Sequence, residues 1–461
     1  MLHRKGAVGL AVCTALACCT VAGAQDFSGA GQQQDIRSLY MQDATQPAAE
    51  RTTTSPATSP SPSTEPAPAP PRPLMAAFEA IGIGKPLEDL GMTIGGYVQG
   101  GYTVSANRPP GDVLAGRVFD TKNNAFVLNQ FNLFFDRPVD AAAAAKSGTF
   151  TLNNFGAHVD FIYGWDAGLI HSSGIFDSPA VAGVTNGYYA SRTHPENQAD
   201  FNQAYIDVAI PMGNGLRLRA GKFVTLLGWE VINPTGNAFY SHSYMFGFAI
   251  PFTHTGVIGE YKFNDDWQLD AGITRGWNQS LNDNNGVPDI LAGVTFTPQA
   301  SDALKKWKFI LNLSEGPQGT NDNHNWWTVL DFQAIYTANE KLSYVVNIDY
   351  GDAPGATASG AAQWYGIAGY AAYIINDYLT TNVRAEYYGD TKSFTVGPGN
   401  GPANLYEVTL NLQVKPMPHN NIGQNLVIRP EVRLDYSERA FFNGGAKNYQ
   451  ATFGIDAYFM F

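Results

Sequence analysis

From Gly91 to the C-terminus, hydrophobic and polar residues alternate in segments of roughly ten residues, which are separated by turn-forming residues. The clearest segment is Leu426–Tyr436, where isoleucine, valine, leucine and tyrosine occupy one face while two arginines, a glutamate and an aspartate occupy the other. Successive side chains of a strand point to opposite faces, and charges crowded on one face need water or close pairing. The same alternation appears in Lys341–Tyr350 and Leu405–Val414. The pattern therefore predicts strands with one apolar face and one wet face.

We count about sixteen such segments, an even number within the range of bacterial outer-membrane barrels. Short turns such as Asn264–Asp266 alternate with long loops such as Trp165–Asp200, which is typical of a barrel with both termini in the periplasm. The sequence thus predicts an all-β fold, a transmembrane antiparallel β-barrel of about sixteen strands. The alternative is a soluble β-sandwich, which so many amphipathic strands disfavour. The expected strand centres are Gly96, Phe131, Val159, Ile206, Arg219, Gly259, Ala271, Val294, Leu311, Phe332, Val346, Ala368, Arg384, Thr409, Glu431 and Asp456.

The last segment, Asn448–Phe461, alternates as well and ends on phenylalanine. It resembles the terminal strand of bacterial outer-membrane proteins, which the barrel-assembly machinery recognises by a final aromatic residue and alternating apolar residues. We interpret Phe459 and Phe461 as this assembly signal.

The first 24 residues have the pattern of a secretory signal peptide. Arg4 and Lys5 give a positive start, an apolar run follows, and Ala22–Ala24 is a small-residue cleavage site. A single membrane anchor is disfavoured because the apolar run is short and rich in small residues. All 3 cysteines lie in this peptide, so cleavage leaves no disulfide or cysteine-ligated metal in the mature chain. We expect export to the cell outer membrane.

Residues 25–90 give little folding signal. Ser55–Pro73 is nearly all Pro, Ala, Ser and Thr, which bury too little apolar surface to offset the entropy of ordering the chain. We expect a disordered, Pro-rich periplasmic linker over residues 25–90 and the barrel over residues 91–461. Within the linker, Leu74–Leu90 could form a short helix that is broken near Pro86.

Composition fits strands with two different faces. Charged residues make up 15% of the chain and aromatic residues 13%, whereas typical soluble domains have about 25% charged residues. Lipid-facing strand surfaces and aromatic girdles explain both values. The net charge of −12 argues against nucleic acid as a partner. From Gly91 onward, 22 basic and 32 acidic residues give 22 − 32 = −10, which indicates a mild preference for cations.

Four stretches of the chain carry a resemblance to a known protein family. Ile94–Tyr102 reads IGGYVQGGY, Asn129–Leu133 reads NQFNL, Gly221–Glu230 reads GKFVTLLGWE and Pro251–Gly256 reads PFTHTG. They resemble the OmpL-like putative β-barrel porin family, and the resemblance spans residues 91–461. It implies an outer-membrane barrel with pore activity and transfers no catalytic or substrate-binding residue.

The connection between expected strands five and six has an unusual composition. Val231–Gly259 contains no Asp, Glu, Lys or Arg over 29 residues and is rich in Gly, Asn, Ser and aromatic residues. In general porins the loop at this place folds into the lumen and narrows the pore, and similarity of position suggests the same here. The alternatives are an exposed outer loop and a loop packed on the barrel wall. The residues that we assign to the constriction are Glu230, Asn237, Phe239, Tyr240, His242, Tyr244 and Phe246.

Charged residues on the wet faces of the strands form a second candidate set. They could create a transverse field that orients and filters polar solutes, or they could simply pair and fill a wet interior. These lumen charges are Asp160, Arg217, Arg219, Glu260, Arg384, Glu386, Arg429, Glu431, Arg433 and Asp435.

No metal, cofactor or catalytic motif stands out. Asp283–Asp289 offers oxygen ligands and a glycine but lacks the distal glutamate of a calcium loop. His158 and Asp160 share a strand face, but His171 and His194 are dispersed, which disfavours zinc. The motifs of serine hydrolases, zinc proteases, phosphate loops and dinucleotide sites are missing. We therefore expect no metal, no cofactor and no enzymatic activity.

The sequence thus predicts a porin that lets small hydrophilic solutes diffuse passively through a water-filled lumen. Expected partners are outer-membrane lipid and lipopolysaccharide, the barrel-assembly machinery and small polar solutes, with a homotrimer as the candidate assembly. Two rival classes stay open: a non-conducting barrel for adhesion or anchoring, and an outer-membrane barrel hydrolase with catalytic residues on its loops.

Overall fold

The computed structural model describes residues 73–176, 197–358, 360–397 and 402–461. The predicted signal peptide, linker residues 25–72 and His194 lie outside these ranges. The strands are β1 (Thr93–Ser105), β2 (Ala125–Arg137), β3 (Phe155–Gly164), β4 (Gln198–Ile210), β5 (Leu216–Val224), β6 (Thr253–Lys262), β7 (Trp267–Thr274), β8 (Asp289–Phe296), β9 (Trp307–Pro317), β10 (Trp326–Asn339), β11 (Leu342–Thr357), β12 (Gly360–Asn376), β13 (Leu379–Asp390), β14 (Ala403–Val414), β15 (Leu426–Ser437) and β16 (Tyr449–Met460). The helices are α1 (Pro73–Ala80), α2 (Gly84–Asp89), α3 (Ala141–Ser147), α4 (Trp165–Leu169), α5 (Tyr244–Phe248) and α6 (Phe442–Gly445). Short 3-10 turns lie at Pro110–Asp112, Leu152–Asn154, Pro234–Gly236, Leu304–Lys306 and Gly423–Asn425. No helix among the described residues is long and apolar enough to cross a membrane.

The sixteen strands form a closed barrel in which each strand pairs antiparallel with its neighbours in sequence. Strand β1 pairs with β16 to close it, with Gly101 opposite Asp456. Beyond β16, the backbone of Phe461 exchanges two hydrogen bonds of 2.9 Å with Gly96. A Cβ at Gly96 would lie 2.2 Å from the carbonyl oxygen of Asn132, so the closure requires glycine here. All sixteen expected strand centres fall inside observed strands, and the predicted barrel is confirmed.

The alternation along the strands separates an apolar outside from a polar inside. On β15, Arg429 and Arg433 are buried, whereas Val432 and Leu434 are 48% and 63% exposed. A soluble sheet protein would bury the apolar face and expose the charges. The opposite arrangement is that of a barrel whose outer surface meets lipid, and it excludes the soluble sandwich.

Outward-facing aromatic residues concentrate near both ends of the barrel. We call the end that carries the β1–β2, β3–β4 and β5–β6 loops the loop end, and the opposite one the turn end. The loop-end group is Tyr350, Tyr365, Tyr387, Tyr406, Tyr436 and Tyr449. The turn-end group is Trp267, Phe296, Trp307, Phe309, Tyr336 and Tyr344. Two such girdles flank the apolar band of membrane barrels, because aromatic rings favour the interface.

Two short helices precede the barrel. Met75 of α1 is buried, and its Sδ accepts a hydrogen bond from the backbone N–H of Ile94 at 3.4 Å. The expected helix break near Pro86 is wrong: the helices separate at residues 81–83, where Gly82 has φ +81°. Pro86 lies in the first turn of α2, where its missing N–H removes no helical hydrogen bond.

The connection Arg137–Asn153 is helical rather than a tight turn. Asp140 caps α3 by accepting a hydrogen bond from the N–H of Ala143 at 2.8 Å, and Gly148 ends the helix in the left-handed conformation. The five consecutive alanines that begin at Ala141 therefore lie in a small helix at the turn end.

Candidate functional site

The loop Thr225–Phe252 between β5 and β6, here called the inner loop, lies inside the barrel. Its helix α5 is buried throughout, and Ser243 caps it because the hydroxyl accepts the N–H of Phe246 at 3.1 Å. Asn233 likewise caps the 3-10 turn at Pro234–Gly236. Since residues 231–252 carry no charged side chain, the loop offers mainly backbone groups and neutral side chains to the wall.

Three arginines on β13 and β15 donate hydrogen bonds to backbone carbonyls of the inner loop. Their side chains are at most 1% exposed. The contacts are Arg384 Nη1 to Ser241 O (2.8 Å), Arg429 Nη1 to Pro234 O (3.0 Å) and Asn237 O (2.7 Å), and Arg433 Nη1 to His242 O (2.6 Å). Buried guanidinium groups with charge-assisted bonds fix the loop more firmly than neutral contacts would.

Three glutamates hold the complementary N–H groups of the same loop. Glu386 and Glu431 come from the wall, and Glu230 belongs to the loop itself. The contacts are Tyr240 N and Ser241 N to Glu431 (2.9 and 3.1 Å), Tyr244 N and Met245 N to Glu386 (2.7 and 2.7 Å), and Ser243 N to Glu230 (2.9 Å). Thus five backbone N–H groups of residues 240–245 are bound by carboxylates.

The same charges also pair with one another. Arg384 donates to Glu230 at 2.7 Å and to Glu407 at 2.6 Å, and Arg429 lies 2.5 Å from Asp456. These pairs neutralise buried charges that would otherwise be costly. We call the inward residues Arg384, Glu386, Arg429, Glu431, Arg433 and Asp435 the clamp wall.

The aromatic residues assigned to the constriction are buried in contacts with this wall and with neighbouring loops. Tyr244 donates its hydroxyl to Asp435 at 2.6 Å, and Tyr240 donates to Asn129 at 3.3 Å. Phe239 lies under the Arg384 guanidinium at 4.9 Å. Phe246 packs in a cluster with Phe119 of the β1–β2 loop. Because all four rings are at most 4% exposed, they do not offer a face for stacking on a sugar.

His242 is a neutral part of this packing. It lies outside the strands, and burial, followed by the nearby Arg384 guanidinium, lowers the pKa of the imidazole to about 3. Its ring lies 4.3 Å from that of Phe246. The imidazole therefore keeps the same charge over the physiological pH range.

The first limb of the inner loop, Leu226–Trp229, is attached to a different part of the wall. Amide side chains of β9, β10 and β11 supply the contacts. These are Asn312 Nδ2 to Leu226 O (2.8 Å), Gln333 Nε2 to Gly228 O (2.9 Å) and Trp229 N to Asn347 Oδ1 (3.0 Å). The loop is thus also fixed to the interior surface away from β13 and β15.

The remaining predicted lumen charges lie away from the inner loop. Arg217 pairs with Glu260, and Arg219 donates to both oxygens of Asp207 at 2.9 and 3.0 Å. The Glu260 side chain is 27% exposed, more than any charge of the clamp wall. We call Asp207, Arg217, Arg219 and Glu260 the far wall. Asp160 is separate from both sets and accepts a hydrogen bond from Asn132.

The residues considered for metal binding do not come together among the described residues, where no group of three or more potential ligands occurs. His158 Nδ1 contacts Asp136 at 3.0 Å, and His171 lies 4.0 Å from Asp200. The Asp283–Asp289 segment is a turn whose asparagine amides bond to Pro317 and Gln318.

Sequence reasoning missed Arg117 and the amide side chains that hold the first limb. Arg117 lies in the β1–β2 loop and donates to Asp120 at 3.0 Å and to Asp435 at 2.8 Å. Loops have no periodicity that would reveal such a contact. The inward position of Asn347 does follow from the alternation in β11, but its loop partner does not.

Comparisons with known proteins agree with this architecture. A family model described as putative beta-barrel porin-2, OmpL-like, matches residues 91–461. The anion-selective porin from Comamonas acidovorans is similar at 9% identity with a TM-score of 0.51, over 80% of this chain and 99% of that one. OprB from Pseudomonas putida is similar at 9% identity with a TM-score of 0.50, over 83% of this chain and 97% of that one. At such identities the likeness concerns the fold alone. Comparison with curated proteins gives no match.

Proposed function

The chain belongs to the family of putative beta-barrel porin-2, OmpL-like proteins, and we propose that it is an outer-membrane porin for passive diffusion. Small hydrophilic solutes would cross through a water-filled lumen that the inner loop narrows. The process involves no chemical step, and the width and charge of the passage decide which solutes enter.

The observation that carries the proposal is the attachment of the inner loop to the clamp wall. A mobile loop would give a passage of variable width, whereas a loop held by buried arginines and glutamates keeps one width. The passage then runs beside the loop, along the far wall. Support comes from the exposure of Glu260, since the clamp-wall charges are covered.

Ion selectivity follows from the remaining charge. The far wall has two arginines and two acids, and the barrel sequence as a whole has an acidic excess of 22 − 32 = −10. We therefore propose a mild preference for cations. Reversal potentials across a salt gradient in planar bilayers test this, and anion selectivity would contradict it.

Two other functions compete with a diffusion channel. A non-conducting barrel for adhesion or anchoring, or a hydrolase with loop-borne catalytic residues, would not pass solutes. Liposomes containing the purified protein should swell in sugars of small size and swell progressively less as the sugar becomes larger. Absence of swelling at every size would reject the porin proposal.

Membrane assembly is proposed to depend on the C-terminal strand. Phe461 bonds to Gly96 across the closure of the barrel, and Phe459 pairs with Val98. Removal of Phe461 should lower the amount of folded barrel in the outer membrane, measured by heat-modifiable gel mobility.

The proposed homotrimer is tested by the mass of the native protein in detergent.

A further inference from the structure

Two aspartates face each other inside the barrel without a basic partner. Asp331 of β10 and Asp349 of β11 are direct register partners, and they are 0% and 1% exposed. The two carboxyl groups lie close enough to share a donor, because Asn347 Nδ2 donates to Asp331 at 2.6 Å and to Asp349 at 3.2 Å. Neither forms an ion pair with any described residue, and the further charged group that acts on Asp349 is Glu386 of β13, another acid.

Amide donors surround the pair unequally. Asp331 accepts hydrogen bonds on both oxygens, whereas Asp349 Oδ1 accepts only a longer bond and its Oδ2 has no donor among the described residues. The bonds to Asp331 come from Asn312 (2.8 Å), Gln333 (2.8 Å) and Asn347 (2.6 Å), and Asn347 also reaches Asp349 Oδ1 at 3.2 Å.

Those three amides are the ones that hold the first limb of the inner loop. Asn312 donates to the carbonyl of Leu226, Gln333 donates to the carbonyl of Gly228, and Asn347 accepts the N–H of Trp229. The orientation of each amide is therefore fixed by the aspartate pair on one side and by the loop on the other.

Two adjacent carboxylates cannot both stay charged in a buried site without a cation, because desolvation and like-charge repulsion both oppose it. We propose that Asp331 and Asp349 share one proton and act as positioning residues for the first limb of the inner loop. The unfilled Oδ2 of Asp349 carries the proton, and Asp331 remains the acceptor of the three amides. This inference rests on the proposed function, because the first limb is part of the proposed constriction.

Alkaline pH should remove the shared proton. The folded protein holds a proton that an unfolded aspartate releases, so the free energy of unfolding should fall as pH rises. Repulsion within the pair should then disturb the amides and loosen the first limb. In wild-type protein, a rise from neutral to alkaline pH should increase the mean single-channel current and its noise.

The test compares wild type with Asp349→Asn, which keeps the shape and removes the second charge. This variant should show no alkaline rise in current or noise. Asp352→Asn is the matched control, because Asp352 lies on the same strand, partly exposed on the outer face, and accepts a bond from Gln363. The control should keep the wild-type pH profile. An Asp349→Asn profile equal to that of wild type, or a flat wild-type profile, would overturn the inference.

Urea unfolding, followed by gel mobility of the folded barrel, separates this inference from the function. The wild-type midpoint should fall with rising pH more than the Asp349→Asn midpoint, whether or not the barrel conducts. If the two midpoints differ in this way but the wild-type protein passes no current, the porin proposal is rejected and the proton-sharing pair is retained. Added calcium that raises the wild-type midpoint but not that of Asp349→Asn would instead assign the pair to a cation and overturn the shared proton.

Discussion

The two sides of the barrel interior use the same kinds of residue in different ways. On the clamp wall, Arg384 and Arg433 are fully buried and donate to carbonyls of the inner loop. On the far wall, Arg217 and Arg219 pair with acids of adjacent strands and make no described bond to that loop. An inward arginine thus holds a backbone segment where one comes within reach, and otherwise pairs with an acid of a neighbouring strand.

This difference divides charges that look equivalent in the sequence. Substitutions on the clamp wall should therefore change stability and loop order together. Substitutions on the far wall should change ion selectivity with a smaller effect on stability. The following variants test the contrast in order of expected effect.

Arg384→Ala should have the largest effect. It removes the buried arginine partner of Glu230 and the closer of the two arginine partners of Glu407, and it leaves the Ser241 carbonyl without this donor. Loss of one partner of a buried pair costs about 3–5 kcal/mol. We expect a lower urea midpoint and a noisier, larger current.

Arg219→Ala is the control for that variant, because it breaks a buried pair with Asp207 away from the inner loop. It should lower the urea midpoint without the increase in current noise. Equal noise in both variants would remove the distinction between the walls.

Glu386→Gln should have an intermediate effect. Both carboxylate oxygens accept a backbone N–H of α5, from Tyr244 and Met245, and an amide can accept only one of them. A buried N–H left unsatisfied costs about 1–3 kcal/mol. The urea midpoint should fall by less than in Arg384→Ala.

Glu260→Gln, on the partly exposed far wall, should lower the urea midpoint by less than Glu386→Gln does. A larger fall for Glu260→Gln than for Glu386→Gln would contradict the difference between the two walls.

Arg217→Ala should have the smallest effect on stability. Its pair with Glu260 is partly exposed, and such pairs contribute roughly 0–1 kcal/mol. Removal of a positive charge beside the passage should move the reversal potential toward cation selectivity. A stability loss as large as that of Arg384→Ala would show that Arg217 belongs to the clamp, and a shift toward anions would contradict its proposed place beside the passage.

The strands were predictable because alternation acts on every residue of a barrel wall. In β15, charged residues at 429, 431, 433 and 435 alternate with apolar residues, and this pattern indicates a strand with one lipid face and one polar face. The inward position of the inner loop was expected from its place between strands five and six, and Val231–Gly259 carries no charge over 29 residues. Such a segment can lie among buried wall charges, because its backbone N–H and C=O groups serve as partners for those charges.

The contacts of the site were less predictable, because they join residues far apart in sequence. Arg433 binds the carbonyl of His242, and a carbonyl is present at every residue whatever its type. The opposition of Asp331 and Asp349 depends on the register of β10 and β11, which alternation alone does not determine. Arg117 lies in a loop, where no pattern marks the contact with Asp435.

The central claim is that the inner loop, fixed to the clamp wall, sets the width of the passage. Deletion of residues 237–246 removes the segment that binds Arg433, Glu386 and Glu431. The most direct measurement is the single-channel conductance of this deletion variant beside wild type in planar bilayers, with folding of both verified by gel mobility. The account predicts a severalfold larger conductance for the folded variant, and an unchanged conductance would contradict it.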